Sequence, residues 1–572
     1  MITEFLAIPG IILIAGAFVL PLLPQKVRSS VFLLFPLAAL AMVFLRADGY
    51  TFTAVIGTYE LTLMQVDSLS RVFGIIFAIT AFVAGVYAFH IKDLGQQSNA
   101  LLYAGSALGV TYAGDLFTLI VFWELMAIGS TWLIWANRTD ASDKAGMRYL
   151  IYHVFGGGLL FAGILWHFIQ TGSLAVESLQ PEYTMANVLM LVGVCINAAV
   201  IPLHTWLADA YPKATITGAV FMSAFTTKSA VYVLIRVFPG WEILVWFGAA
   251  MAIYGVLYAV ICKDIREILA YHIISQVGFM VCGIGIGTEM ALNGATAHAY
   301  SHILYKSLLF MGTGAVLYAT GTSKIVHLGG LAKKMPWTLV LYMVGALSIS
   351  GIPLFNGFIS KGMTIDAAGY AGNETAMLLL LLASVGTFLS VGLKLPYFTW
   401  FSKDDNDIEV KPLPVNMYIA MGIAAVACIF YGLFPGALYM YLPFEVNYQP
   451  YTIYHLVEVL QISIMTFAGF WLLRKKLAGE LILALDVDWF YRKPAPAVRK
   501  VFVIWVAAVF DWVEKTSLDI SHWLIDAFKN PMKWLNPITK HDLEPSTYSP
   551  TMENAMGLII LLFVVLAIFM VF

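Results

Sequence analysis

His298, His302 and Lys306 stand at i, i+4 and i+8 in the run HAYSHILYK. On a helix this spacing puts two imidazoles and an ammonium on one face, spread over about 12 Å of axis. The run continues into the apolar SLLFMGTGAVLYAT. A charge near a bilayer centre costs roughly 2.5–3.5 kcal/mol on insertion scales, so such a row faces a protein interior or an aqueous path. The chemistry that uses it is proton relay. Further ionisable residues lie in apolar surroundings: Glu124 in DLFTLIVFWELMAIGSTWLIW, Lys228 in GAVFMSAFTTKSAVYVLIRVF, Lys361 closing SISGIPLFNGFISK, and Lys394 in FLSVGLKLPYFTWF. Burial and neighbouring charges move Lys and Glu proton affinities toward a working range, and histidine needs the smallest displacement. Lys394 is also close enough to the cytoplasmic end of its run to snorkel. His204 reads as a candidate lining of a cytoplasmic access path. His153 and His167 read as packed, hydrogen-bonded side chains, His272 as structural, and His327 as a loop residue.

The elements that must hold these groups are membrane spans. The chain has 572 residues, 60% hydrophobic and 12% charged, with mean hydropathy +0.83. An ordinary soluble protein carries about 25% charged residues. Apolar runs of span length recur along nearly the whole chain, which predicts an all-α polytopic membrane protein of about sixteen transmembrane helices. The alternating ten-residue segments of a membrane β-barrel do not occur. The net charge of −2 gives no reason to invoke nucleic acid. Cys195, Cys262, Cys282 and Cys428 lie singly, without metal-type spacing, and read as packing residues. No nucleotide loop or redox-cofactor motif is found, so no cofactor is expected.

Residues 1–98 read as N-terminal spans, with the Thr-, Val- and Tyr-rich stretch 47–66 as a hairpin outside the bilayer. Residues 99–401 carry the ionisable groups, and 402–476 hold further spans. Residues 477–553 are polar and then amphipathic, with Trp505, Trp512, Trp523 and Trp534 along a helix over 497–535 lying in the interface. A last apolar run, 554–572, reads as an anchor. Lys and Arg concentrate in alternate loops, which puts both termini outside a cytoplasmic membrane. The N-terminus lacks a basic segment before its apolar run and reads as a retained first span. Ile201-Pro202-Leu203 and Ile352-Pro353-Leu354 each interrupt an apolar run. A proline removes a backbone hydrogen bond, so both runs are expected to be broken helices, and paired breaks point to inverted repeats.

DLFTLIVFWE, IPLHTWLADAYP, TTKSAVYVLIR, KDIREILAYHIISQVGF, HAYSHILYKSLLF, HLGGLAKKMP and GIPLFNGFISK resemble, in order and spacing, the antiporter-like subunits shared by Mrp-type multisubunit cation/proton antiporters and respiratory complex I. The wording of HTWLADAYP and GLKLPYF is most similar to the D-type member of the Mrp set, and the tail to the longest antiporter-like subunit of complex I. The resemblance implies a fourteen-helix core of two inverted five-helix repeats, each with a discontinuous helix. It implies proton-relay roles for Glu124, Lys228, His302, Lys306 and Lys361, with His298 one turn before. One position departs. Asn197 stands where the resemblance puts a lysine, and an amide carries no proton at neutral pH. The first half-channel is therefore expected to be altered, differently coupled or inactive.

The expected function is proton translocation by a membrane subunit of a bacterial or archaeal Na+/proton antiporter, among other membrane subunits including homologous ones. Two alternatives stand beside it: an antiporter-like subunit of complex I or a membrane-bound hydrogenase, and a scaffold that energises a soluble partner such as an inorganic-carbon uptake protein.

Overall fold

The computed structural model describes residues 4–5, 8–403, 408–478 and 486–529. It divides into two compact units, Met1–Val487 and Asp488–Phe572. The first is a helical bundle. Its helices are α1 (Pro9–Val19), α2 (Gln25–Leu45), α3 (Ser68–Tyr87), α4 (Leu94–Tyr112), α5 (Leu116–Trp135), α6 (Asp140–Thr171), α7 (Met185–Asn197), α8 (Thr205–Ala210), α9 (Ile216–Ala224) and α10 (Thr226–Val237). They continue as α11 (Glu242–Ile261), α12 (Ile265–Ile286), α13 (Glu289–Thr320), α14 (Pro336–Ser350), α15 (Asn356–Tyr370), α16 (Glu374–Thr387), α17 (Val415–Leu433) and α18 (Ile453–Ala478). Among the described residues eleven helices are long and apolar enough to cross a membrane, and three shorter apolar ones accompany them. Span 94–112 falls outside both groups because Gln96, Gln97 and Asn99 dilute it. The predicted hairpin is present as antiparallel β1 (Thr51–Ile56) and β2 (Tyr59–Gln65).

Side-chain caps mark many helix starts. Asp67, Asp93, Asp115, Thr139, Thr184, Thr215, Asp264 and Thr288 each accept a backbone N–H of the following turn. Such caps satisfy donors that would otherwise be orphaned near the membrane surface.

Both Ile-Pro-Leu runs are helix breaks. The first separates α7 from α8, with Ala199 at φ 56°. The second separates α14 from α15, with Gly351 at 73° and Leu354 at 75°. A third break, between α9 and α10 at Phe225, has neither proline nor glycine to announce it.

α13 runs through the middle of the unit. It packs on α3, α9, α12, α14, α15 and α17, and residues 291–316 are buried almost without interruption. α11 and α12 cross closely through small residues. A Cβ at Gly248 would lie 2.2 Å from the Cys282 nitrogen, and one at Gly278 would lie 2.6 Å from the Ala252 nitrogen. Small side chains let membrane helices approach where apolar burial alone gives no driving force.

In the second unit, π-type helix over Arg499–Trp505 runs into α19 (Val506–Lys529). Trp505, Val509, Trp512, Val513, Ile520, Trp523 and Leu524 recur at helical spacing, all exposed, as an amphipathic helix requires. The predicted anchor at 554–572 and the last residues of the predicted 497–535 helix lie outside the described residues.

Candidate functional site

The His298, His302 and Lys306 row lies on α13 at the centre of the bundle, each side chain 0% exposed. Lys228 on α10 and Lys361 on α15 are equally buried. The electrostatic neighbours connect them. Lys228 lies within electrostatic reach of Lys306, both lie within reach of His302, and Lys228 and Lys361 lie within reach of His298. Five of the predicted residues are thus brought into one site. None of them has an ion-pair partner among the described residues.

Broken helices hold two of the amines. The interruption at Phe225 frees the Ser223 carbonyl, and Lys228 Nζ donates to it at 2.7 Å and to Thr227 Oγ1 at 3.0 Å. Lys361 lies in the second turn of α15 and donates to the Ile349 carbonyl in the last turn of α14 at 3.4 Å, with its ammonium 4.8 Å from the Phe279 ring centroid. The last four carbonyls of a helix lack partners within it, so they can solvate a cation in place of water. Lys306 is different: it sits in continuous α13, its Nζ makes no hydrogen bond among the described residues, and the Phe310 ring lies 5.9 Å away. Both nitrogens of His302 and Nε2 of His298 also lack hydrogen-bond partners among the described residues. Buried polar atoms are normally paired. A row of unpaired ones leaves its donor and acceptor capacity uncommitted.

Lys394 is placed further along. A π-type stretch over Phe388–Lys394 turns its ammonium onto the Val260 and Cys262 carbonyls, at 2.5 and 2.7 Å, where it closes the C-terminus of α11. Its link to the row is His272, which the sequence reads as structural. This ring is fully buried in α12, donates to or accepts from Ser390 Oγ at 2.6 Å, and has Lys306, Lys361 and Lys394 as its charged neighbours. No sequence signal separates it from a packed histidine, because the lysines that surround it come from three other helices.

Glu124 is not brought to this group. It is half-buried on α5, on the face that carries exposed Val121, Ile128 and Trp132. Its carboxylate rests in a notch at Gly157 of α6, where a Cβ would lie 1.6 Å from Oε1. Asn197 is buried and its Oδ1 meets His153 Nδ1 at 2.7 Å, so the reading of His153 as hydrogen-bonded holds. His167 lies on the outer part of α6, half-buried. His204 meets Asp486 at 3.2 Å, and the Asp486 carboxylate also accepts from the hydroxyls of Tyr254 and Tyr271. Burial pushes this carboxyl up, yet His204 and the two tyrosines outweigh it and hold it down at about 2.

At its far end the row meets a cavity. Lys361 shares a small cavity with Asp366, His455 and Glu458, and those three also line an open one of about 610 Å³ with Glu289, Glu445 and Tyr448.

Residues 113–390 match the family described as NADH:quinone oxidoreductase/Mrp antiporter, transmembrane. The D-type subunit of the Na(+)/H(+) antiporter of Alkalihalophilus pseudofirmus is 33% identical over 357 residues, which are 57% of this chain and 72% of that protein. The chain belongs to this family. The A-type subunit of the same organism's Na(+)/H(+) antiporter is 30% identical over 425 residues, and the match spans 65% of this chain and about half of that protein, 52%. In fold the chain is similar to a structure of the Mrp complex from Dietzia sp. DQ12-45-1b, with TM-score 0.76 and 21% identity, covering 98% of this chain and 66% of that one.

Proposed function

We propose that this chain is the proton-translocating membrane subunit of a multisubunit Na+/proton antiporter. The observation that carries the reading is the fully buried line Lys228, His302, His298 and Lys306, continued to Lys361, without a carboxylate counter-ion among the described residues. A structural cation in a membrane is normally paired. Five buried titratable groups without counter-ions, each within electrostatic reach of the next, repel one another when charged, so a proton arriving at one weakens the hold of the next. That is a relay by coupled titration. Lys228 receives the proton, His302 and His298 pass it along α13, Lys306 sets the charge opposing Lys228, and Lys361 delivers it toward the acidic cavity. Lys394, through His272, provides a branch toward the cytoplasmic side.

The partners are other membrane subunits, homologous ones included, with the exposed Val121, Ile128 and Trp132 of α5 turned toward such a neighbour. The termini lie outside, and residues 99–401 form the conducting part. The test is Na+-driven proton flux in proteoliposomes carrying the purified complex. Lys228→Ala and Lys306→Ala should each abolish flux while the complex assembles. Full flux in both variants refutes the proposal.

A further inference from the structure

Outside the central row, one buried histidine has the surroundings of a carrier. His153 lies in α6 at 1% exposure. Asn197 holds its Nδ1, and with the amide oxygen as acceptor Nδ1 carries the hydrogen while Nε2 presents a lone pair. Among the described residues that Nε2 has no hydrogen-bond partner, nor does the Asn197 amide nitrogen. The ring is clamped between Tyr149, at 4.1 Å between centroids, and Trp206, at 4.5 Å. One helical turn along α6 is Gly157, the notch that receives the Glu124 carboxylate. On the other side hydroxyls lead inward. Tyr149 Oη bonds Ser130 Oγ at 3.0 Å and Thr226 Oγ1 at 3.2 Å, and Tyr103 Oη bonds Thr226 Oγ1 at 2.6 Å. The next residue, Thr227, accepts from Lys228.

Packing alone does not require this arrangement. An unpaired buried nitrogen costs about 1–3 kcal/mol, which packing of the ring does not by itself explain. We propose that His153, held by Asn197, carries the proton between Glu124 and Lys228. The step balances: the Glu124 carboxylic acid gives its proton to Nε2, leaving carboxylate and imidazolium. The imidazolium returns to neutral as the Lys228 amine becomes ammonium by way of the hydroxyl chain. The first half of the chain is then active although Asn197 itself titrates nothing. The inference rests on the proton-translocating reading above.

The experiment uses the whole complex in proteoliposomes with an imposed Na+ gradient. His153→Gln keeps a hydrogen bond to Asn197 and holds no proton, so flux should fall by roughly 10²-fold, the usual weight of a positioned acid–base group. His153→Gln with Asn197→Lys places an amine on the other side of the pair and should restore flux; no packing role is rescued that way. Asn197→Asp keeps shape and hydrogen bond and adds a charge that tightens the imidazolium, so the pH profile of flux should move to higher pH. Against the ring lie Tyr149 from its own helix, Asn197 of α7 and Trp206 of α8, and the titratable group on the neighbouring α5 is Glu124, seated one turn along α6 at Gly157. Wild-type flux in His153→Gln while Lys228→Ala is inactive overturns the inference and leaves the proposed function standing. Loss without rescue, or an unmoved profile in Asn197→Asp, also overturns it. The Asp variant decides the matter where His153→Gln fails to assemble.

Discussion

Replacing Gly157 by alanine tests whether the position of the Glu124 carboxylate matters, without touching a titratable group. An added Cβ would stand 1.6 Å from Oε1 and 2.8 Å from the carboxyl carbon, where ordinary contact begins at 3.4 Å. The carboxylate must therefore retreat by about 1.8 Å, the difference between those distances. The obstacle is the far end of a flexible side chain, so the retreat is a rotamer change costing about 0.5–1.5 kcal/mol. Against that, Gly→Ala within a helix stabilises by about 1 kcal/mol. The two offset, and Tm should stay within a degree or two of wild type. Flux should not. Proton transfer needs donor and acceptor within about 2.6–3.2 Å, directly or through one water, and an ångström of misplacement can cost 10²-fold.

The expectation is a 10- to 100-fold loss of Na+-driven proton flux in proteoliposomes, with unchanged complex content and Tm. Gly158→Ala is the matched control, since a Cβ there meets nothing within 4 Å. It should leave flux unchanged. Wild-type flux in Gly157→Ala beside an inactive Glu124→Gln would refute the claim that the notch positions the carboxylate. Equal loss in Gly157→Ala and Gly158→Ala would place the effect in the helix backbone.

Lys306→Met should abolish flux and leave Tm equal or higher, because the amine has no hydrogen bond to lose and its burial is unfavourable; a Tm lowered by several degrees would show a structural partner instead. Gly248→Ala should lower the stability of the purified chain by roughly 1–3 kcal/mol, since its methyl would meet the backbone nitrogen of Cys282 at 2.2 Å and neither helix can yield without the other; an unchanged Tm would contradict the close crossing. Asp486→Asn should weaken the contact with His204, Tyr254 and Tyr271, lowering Tm at pH 7. The Asp486 carboxyl is held at about 2, below its unfolded value near 3.9, so its contribution is full above about pH 4 and fades as pH falls through 2. The Tm difference between wild type and Asp486→Asn should shrink over that window, and a difference that grows there would reverse the assignment.

What the sequence disclosed were features written within one helix. The spacing of His298, His302 and Lys306 gave one face, and α13 presents it. Ile-Pro-Leu gave both proline breaks, because a missing N–H is local chemistry. What it hid depends on partners from elsewhere. Phe225 interrupts α9 and α10 without any breaker residue, and the compensation, Lys228 on the Ser223 carbonyl, is visible only in three dimensions. Lys394 is no more apolar in its surroundings than Lys361, yet it closes the end of α11, more than a hundred residues away. His272 and His153 look like core histidines in the sequence; Ser390 and Asn197, on other helices, distinguish them.

The amines also differ in a way that bears on direction. Lys228, Lys361 and Lys394 each meet carbonyls released by an interrupted helix or a helix end. Such carbonyls stabilise an ammonium without supplying a counter-charge, so the charged state is held by dipoles that a proton's departure does not move. Lys306 has no such carbonyl; what it meets is the Phe310 ring, and beside it lie the unpaired nitrogens of His302. Its charge is therefore the least supported in the line and the most sensitive to Lys228, its charged neighbour. A proton placed on Lys228 thus acts first on Lys306 and His302, while Lys361 is buffered by its own carbonyl. Under the proposed relay, the gradient of support along one continuous helix, flanked by two interrupted ones, assigns the switch to the middle of the line and the reservoirs to its ends.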